Sequence, residues 1–333
     1  MGGHVTSMRA VVLRSYGGPE VLQIEHVAAP TAGPDEVIID IAATAVNRAD
    51  VLQRRGLYPD PRRRTPEIPG LEFAGTVRSI GERVSMWRPG DHVMGIEAGG
   101  GYAEQIAVHE RQLLRVPESV DLVRAAAIPE VFLTAWDALV VQGGLTSGRW
   151  ALVHAGASGV GTAAIQLARA IGARSAVTAS AGKLDSCRAL GADLAVERSP
   201  HDWLAEVRTR VPDGFDVVLD VVAGDEADRN LVAVAVRGTI VQVGLMGGGR
   251  TPVDVGMLLA RRARWIGTTL RNRPLEEKVA LTRRFAAEVL PLFDAGALAP
   301  VIDCIVPIEE IAAAHERMEA NLNVGKIVVS TSP

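Results

Sequence analysis

Residues 150–168 constrain the possible folds of this chain more than any other segment. An apolar strand pattern, Trp150–His154, runs directly into a glycine-rich turn and then into an alanine-rich helix pattern. A turn without bulky side chains lets a pyrophosphate approach the free N–H groups and the positive dipole at a helix N-terminus. Ser158 replaces the middle glycine of the usual G-x-G-x-x-G pattern, but glycines still dominate the turn. The segment therefore predicts a dinucleotide-binding turn formed by Gly156, Ser158, Gly159, Val160 and Gly161.

Helix and strand patterns alternate after this turn, as a doubly wound parallel sheet requires. The predicted helices are 163–171, 183–190, 202–211 and 226–234, and the predicted strands are 175–178, 194–196, 215–222 and 238–243. Residues 8–128 instead carry short β-patterned runs separated by glycine and proline clusters, and strand patterns return at 301–306 and 326–330. We therefore expect an α/β protein with a Rossmann domain at 129–297 and a mostly β, barrel-like domain at 1–128 and 298–333.

Composition narrows the function to small-molecule chemistry. The chain has 333 residues, of which 48% are hydrophobic and 22% charged, and its net charge is −4. This charge gives no electrostatic footprint for nucleic acid, and no apolar run approaches the length of a membrane span. Cys187 and Cys304 are too few for a disulfide framework or a four-thiolate zinc site, which fits a reducing compartment. A cytoplasmic location is the expectation.

The residues after the second Rossmann strand indicate the cofactor. NAD-preferring folds place an acidic residue about 20 positions after the glycine turn, where it holds the ribose 2′-hydroxyl. Here the corresponding segment carries Ser180 and Lys183 instead, and Arg198 follows the next strand. A hydroxyl and two cations are suited to the 2′-phosphate of NADP. The sequence therefore predicts NADPH as the cofactor.

Several separate motifs resemble one family. They are Gly17–Leu22, Val46–Asp50 with Tyr58, Pro69–Glu72, Ala125–Pro129, Leu133–Ala135, His154–Gly161, Gly244–Gly248 and Gly325–Val328. Together they resemble the zinc-free NADPH:quinone oxidoreductases of the medium-chain dehydrogenase/reductase superfamily, relatives of zeta-crystallin, over residues 8 to about 330. Segments 47–58, 244–249 and 318–326 are most similar to the subgroup that a tumour suppressor induces in animal cells. The resemblance implies that the β domain is GroES-like.

The resemblance also implies site residues. Zinc-dependent members place metal ligands where this chain has Asn47 and Leu71, and neither side chain is a workable zinc ligand. Without a metal, an acceptor carbonyl must be polarised by hydrogen bonds, for which Asn47 and Tyr58 are the catalytic candidates. Further residues are implied to lie near the cofactor: Thr134, Gly244, Leu245, Met246, Asn323 and Lys326.

The resulting expectation is hydride transfer from NADPH, bound in the interdomain cleft, to a quinone or conjugated carbonyl, with solvent as the source of the proton. An enoyl or alkenal reductase with the same fold is the first alternative, because pocket shape alone would separate the two. The second is an NADPH-binding protein with little turnover, as in some crystallins. A serine hydrolase is disfavoured because Val160 replaces the second glycine of G-x-S-x-G. By analogy, a homodimer would form through the edge strand at 265–270.

Overall fold

The computed structural model describes residues 6–198 and 202–331. The strands of this part of the chain are β1 (Ser7–Leu13), β2 (Leu22–Ala28), β3 (Glu36–Val46), β4 (Glu72–Ile80), β5 (His92–Ile96), β6 (Gln105–His109), β7 (Leu113–Arg115), β8 (Trp150–His154), β9 (Arg174–Ala179), β10 (Leu194–Glu197), β11 (Phe215–Asp220), β12 (Val234–Gln242), β13 (Arg264–Gly267), β14 (Ile302–Pro307) and β15 (Lys326–Ser330). The helices are α1 (Arg48–Arg54), α2 (Leu122–Ala125), α3 (Pro129–Trp136), α4 (Gly159–Ala170), α5 (Leu184–Ala189), α6 (Trp203–Arg210), α7 (Glu226–Ala233), α8 (Val255–Arg261), α9 (Leu275–Glu288), α10 (Leu290–Asp294) and α11 (Ile311–Glu319).

The chain divides into two compact units. The first comprises Met1–Glu130 and Arg271–Pro333, and the second comprises Val131–Leu270. The second boundary differs from the predicted position at 297, because residues 271–297 pack with the first unit. An ion pair between Arg111 and Glu276 of α9, with 2.6 Å between the charged atoms, is one of the contacts that hold them there.

The second unit contains the doubly wound sheet that the alternating pattern predicted. Its six strands are all parallel and follow the order β10-β9-β8-β11-β12-β13, which is the order of dinucleotide-binding folds. The central strands are buried on both faces, so their side chains form nearly continuous apolar runs. Leu152, Val218 and Ile240 are fully buried in this core together with Trp203 of α6. The fold class is confirmed.

The first unit is mostly β. Its main sheet has the order β14-β15-β3-β4-β5-β7, with β6 also paired to β3, and β1 and β2 form a separate antiparallel pair. Ile39, Phe73 and Val93 are fully buried in one of its cores. Strand β15 is an internal strand of this sheet, because it lies between β14 and β3, with Val328 opposite Ala45. Both of the C-terminal strands predicted from sequence lie in this sheet.

Hydrophobic helices long enough to cross a lipid bilayer are absent from the parts of the chain at 6–198 and 202–331.

Candidate active site

The glycine turn of the second unit presents the start of a long helix. Strand β8 ends at His154, and α4 begins five residues after it, at Gly159. Ser158 is the N-cap, and its hydroxyl accepts the Gly161 N–H at 3.0 Å. The N–H groups of Gly159 and Val160 precede the first intrahelical hydrogen bond, so they can bind an anion. The serine that replaces a glycine thus acts as the helix cap.

A buried polar network holds three strand ends beside this turn. The His154 ring bonds the Thr178 hydroxyl at 2.9 Å and the Asn230 side-chain oxygen at 2.7 Å. Asn230 in turn donates to Asp220 at 2.9 Å, and Asp220 accepts the N–H groups of the two residues at 222 and 223. The strand ends that would surround a cofactor are therefore fixed by side chains that the sequence interpretation did not single out.

The three residues predicted to select NADPH lie at one end of two adjacent strands. Ser180 directly follows β9, and Lys183 lies three residues beyond it. Arg198 directly follows β10, and its N–H donates to the Ala179 carbonyl oxygen at 2.9 Å. Ser180 and Arg198 are exposed, and Lys183 is partly buried. Because parallel strands β8, β9 and β10 are neighbours, these residues lie at the same edge of the sheet as the glycine turn.

The remaining cofactor candidates of this unit are an exposed loop after β12 and one buried threonine. Gly244, Leu245 and Met246 follow β12, and the Leu245 and Met246 side chains are 59% and 46% exposed. Thr134 is buried, and its hydroxyl oxygen has no hydrogen-bond partner among the described residues. An unsatisfied buried hydroxyl, an open helix N-terminus and two cations at the strand ends fit a phosphorylated dinucleotide. The residues present therefore fit a nicotinamide dinucleotide.

Asn47 lies in a closed network in the first unit. Its side-chain amide nitrogen donates to Glu72 Oε1 at 2.8 Å and to the Ala45 carbonyl oxygen at 3.2 Å. Its side-chain oxygen accepts from Lys326 Nζ at 2.6 Å. Both N–H groups of the amide are thus engaged, so none is left to polarise a carbonyl. In this geometry Asn47 links Glu72 to Lys326, and its catalytic role stays a prediction.

Lys326 and Asn323 make hydrogen bonds within the first unit, and their approach to the cofactor stays a prediction. Lys326 is 2% exposed, and its ammonium contacts Glu72 Oε1 at 2.7 Å, the Val46 carbonyl oxygen at 2.9 Å and Asn47. These three acceptors satisfy its three N–H groups. Asn323 is buried and donates to the Gly325 carbonyl oxygen at 2.7 Å. In this structure both residues stabilise the β domain.

Tyr58 is the candidate of the first unit whose polar group is not engaged by other described residues. Its hydroxyl makes no hydrogen bond within the described ranges, and the ring is only partly buried. The Arg271 guanidinium lies 4.9 Å from the ring centroid and donates to the Tyr58 carbonyl oxygen at 2.7 Å. Burial raises the pKa of Tyr58, so the hydroxyl keeps its proton at neutral pH and can donate it in a hydrogen bond.

Three functional candidates escaped the sequence interpretation: Glu72, Glu130 and Arg271. Glu72 is fully buried, and its second carboxylate oxygen accepts the Glu130 N–H at 2.8 Å, at the start of α3. Glu72 and Glu130 could have been found, because each stands in or beside a motif that carries the family resemblance. Arg271 has no such signal, since its role depends on backbone carbonyl groups far away in the sequence.

The position that holds a metal ligand in zinc-dependent relatives is occupied by Leu71, which is 2% exposed and has an apolar side chain. Within residues 6–198 and 202–331, no group of three or more histidine, cysteine, aspartate or glutamate side chains could hold a metal ion. The polar groups around Asn47 are its own amide, the Lys326 ammonium and the Glu72 carboxylate, and these groups are bonded to one another.

Comparison with known families agrees with this architecture. Residues 33–118 match the alcohol dehydrogenase GroES-like domain, and residues 159–287 match the zinc-binding dehydrogenase family. The chain is 31% identical to the quinone oxidoreductase of Lama guanicoe, with 97% of each protein covered. It is also 31% identical to the human synaptic vesicle membrane protein VAT-1 homolog, covering 98% of this chain and 87% of the relative.

Solved structures give the same result. A structure described as an NAD-dependent alcohol dehydrogenase superposes with a TM-score of 0.86 at 31% identity, covering 98% of this chain and all of the other. The CurK enoyl reductase has a TM-score of 0.86 at 28% identity, with 98% and 99% of the two chains covered. The chain thus belongs to the medium-chain dehydrogenase/reductase superfamily, a group of oxidoreductases that use a nicotinamide cofactor.

Proposed function

We propose that this protein is an NADPH-dependent, zinc-independent oxidoreductase that reduces quinones or related conjugated carbonyls. The observation that carries the proposal is the edge formed by Ser180, Lys183 and Arg198, where a hydroxyl and two cations follow β9 and β10. The likeness to quinone oxidoreductases supports the choice of acceptor. Bound NADPH would supply a hydride to that acceptor.

The first unit supplies the polarising group in this proposal. Tyr58 donates a hydrogen bond to the acceptor oxygen as negative charge develops there, which replaces the Lewis acid of zinc-dependent relatives. Arg271 holds the loop that carries Tyr58 through its bond to the Tyr58 carbonyl oxygen. Asn47, Glu72 and Lys326 keep the surrounding backbone rigid.

The experiment is steady-state oxidation of NADPH and of NADH by the purified protein, with quinones, alkenals and simple ketones as acceptors. The double variant Lys183→Ala/Arg198→Ala should raise KM for NADPH by about 10- to 100-fold and leave KM for NADH nearly unchanged, because it removes two phosphate-binding cations. Arg208→Ala removes an exposed cation from α6 of the same unit and serves as the matched control. Equal losses with both cofactors would contradict the NADPH assignment.

An enoyl or alkenal reductase is the second candidate, and the similarity to the CurK enoyl reductase favours it. Turnover of alkenals without quinones would select it. An NADPH-binding protein with little turnover is the third candidate, which the engaged amide of Asn47 favours. Tight NADPH binding without turnover of any acceptor would select that one.

The assembly state and location belong to the same proposal. Strand β13 lies at the edge of the six-stranded sheet, and pairing with a second copy would cover its unpaired backbone groups. We therefore propose a homodimer, which light scattering would test. A cytoplasmic location and membership of the tumour-suppressor-induced subgroup stay predictions.

A further inference from the structure

A pocket of the first unit lies where three segments of that unit meet. It is lined by residues 16–19 between β1 and β2, by residues 54–55 at the end of α1, and by residues 316 and 319–320 at the end of α11. Its volume is about 690 Å³, within the range of about 300–1,000 Å³ that is common for small-molecule sites. These lining residues do not belong to the candidate active site, so the pocket needs an explanation of its own.

One carboxylate in the wall of this pocket is shared by two guanidinium groups. Arg54 Nη2 donates to Glu319 Oε2 at 2.7 Å, and Arg55 forms an ion pair with the other oxygen of Glu319. Glu316 also lines the pocket, but it is exposed and forms no ion pair with the described residues. His315 adds no charge, because burial and then the positive charge of Arg54 lower its pKa to about 3. The two guanidinium groups and Glu319 therefore keep one positive charge in excess.

The two arginines differ in exposure and therefore in what they can offer a ligand. The Arg54 side chain is 1% exposed, and its Nε and Nη1 atoms have no hydrogen-bond partner among the described residues. The charge of such a buried group is screened only weakly by salt. The Arg55 side chain is 53% exposed, and its ion pair with Glu319 orients the guanidinium while other N–H groups stay available. Arg55 can therefore contact an anion directly, and Arg54 adds a second positive charge to the wall.

Tyr16 gives the pocket an aromatic surface that is exposed but held in place. The residue is 51% exposed, and its hydroxyl donates to Glu67 Oε2 at 3.1 Å. Gly56, at φ +72°, lies so close to the ring that a Cβ there would be 2.7 Å from Tyr16 Cδ2. The next residue, Gly17, donates its N–H to the Arg54 carbonyl oxygen at 3.0 Å. Because the ring is already ordered, a planar ligand can stack on it without a large entropic cost.

We infer that this pocket binds a planar aromatic monocarboxylate. The ring of the ligand stacks on Tyr16, and its carboxylate accepts hydrogen bonds from Arg55 in the positive field of Arg54. One excess positive charge matches a monoanion, and Glu316 in the same pocket repels a second negative charge on the ligand, such as that of a phosphate dianion. The inference does not rest on the proposed function, because its residues take no part in binding NADPH or the acceptor there.

The probe is benzoate, and benzyl alcohol is its uncharged counterpart. Saturation-transfer NMR on the full chain measures the Kd of each compound, with and without saturating NADPH. We expect the wild type to bind benzoate about 10-fold or more tightly than benzyl alcohol, because hydrogen bonds to a charged group are the stronger ones. NADPH should not displace benzoate. No binding of benzoate up to about 10 mM, equal affinity for the two compounds, or displacement by NADPH would each overturn the inference.

Substitutions in the pocket assign the binding to its residues. Arg55→Ala should weaken benzoate binding by about 10-fold or more and leave the Kd for NADPH unchanged. Arg78→Ala is the matched control, because the Arg78 side chain is 55% exposed and pairs with one carboxylate, Asp40, at 3.2 Å. Tyr16→Leu should weaken binding by about 3-fold or more, whereas Tyr16→Phe keeps the ring and should bind as the wild type does.

Glu316→Gln gives an effect of the opposite sign, which a damaged fold would not produce. It removes the repelling carboxylate and should strengthen benzoate binding by about 2-fold or more. Benzoate should also raise the Tm of the wild type and not that of Arg55→Ala. If Arg55→Ala and Tyr16→Leu bind benzoate as the wild type does, the compound binds elsewhere and the inference is wrong. A protein that binds benzoate in this way but reduces no quinone would contradict only the proposed function.

Discussion

Lys326 in the first unit and Arg198 in the second unit are both cations that the sequence assigned to the cofactor, but their surroundings are opposite. Lys326 is 2% exposed and contacts three acceptors of its own unit. Arg198 is exposed at the end of β10, and the contact described for it is made by its backbone N–H. The charge of Lys326 therefore holds the backbone of the first unit, whereas the charge of Arg198 is presented to solvent.

This contrast shows that a charged residue in a sequence motif can serve either the stability of the fold or the binding of a ligand. A buried ammonium that has already lost its water must be paired, so its removal affects folding first. An exposed guanidinium gains little from its own fold, so its removal affects ligand binding first. The following predictions test this separation, beginning with the largest effect.

Lys326→Met should lower the free energy of unfolding by about 3–5 kcal/mol, because it leaves the Glu72 carboxylate buried without its cation. Urea unfolding at neutral pH measures the loss. The double variant Glu72→Gln/Lys326→Met removes the uncompensated charge and should recover part of the stability. A loss below about 1 kcal/mol for the single variant would show that the network is weaker than its geometry indicates.

Ser158→Ala should lower the free energy of unfolding by about 1 kcal/mol, because α4 loses its N-cap while the Gly159 and Val160 N–H groups stay in place. Thermal unfolding without cofactor measures this effect. Thr209→Ala, which removes an exposed hydroxyl elsewhere in the second unit, is the control. Unchanged stability in Ser158→Ala would mean that this hydroxyl does not cap the helix in solution.

Arg14→Ala should leave the stability within error of the wild type. Arg14 pairs with Glu25 at 2.6 Å, but its side chain is 64% exposed, and water and salt screen such a pair. Urea unfolding at low and at high salt would measure any contribution. A loss comparable to that of Lys326→Met would remove the distinction between buried and exposed cations.

The second unit was largely predictable because its signals are local. Each strand and helix has its own periodicity, and the glycine turn joins β8 to α4 within a few residues. The common location of Ser180, Lys183 and Arg198 was also predictable, since the carboxyl ends of adjacent parallel strands lie on one side of a sheet.

The network of the first unit could not be predicted in the same way. Asn47 bonds Glu72, 25 residues away, and Lys326, 279 residues away. No local pattern in the sequence shows that both N–H groups of the Asn47 amide are engaged. Arg271 was missed for a similar reason, because its partners, the Tyr58 and Ala98 carbonyl groups and the Gln53 side chain, lie at least 173 residues away in the sequence.

The position of β15 between β14 and β3 has a consequence for synthesis on the ribosome. The second unit is fully translated at residue 270, but the main sheet of the first unit stays incomplete until residues 326–330 leave the exit tunnel. Until then the backbone of β3 lacks one neighbour, and Glu72 lacks the ammonium that neutralises it. The nascent chain thus carries an unfinished β domain until residues 326–330 emerge, long after the second unit has been translated in full.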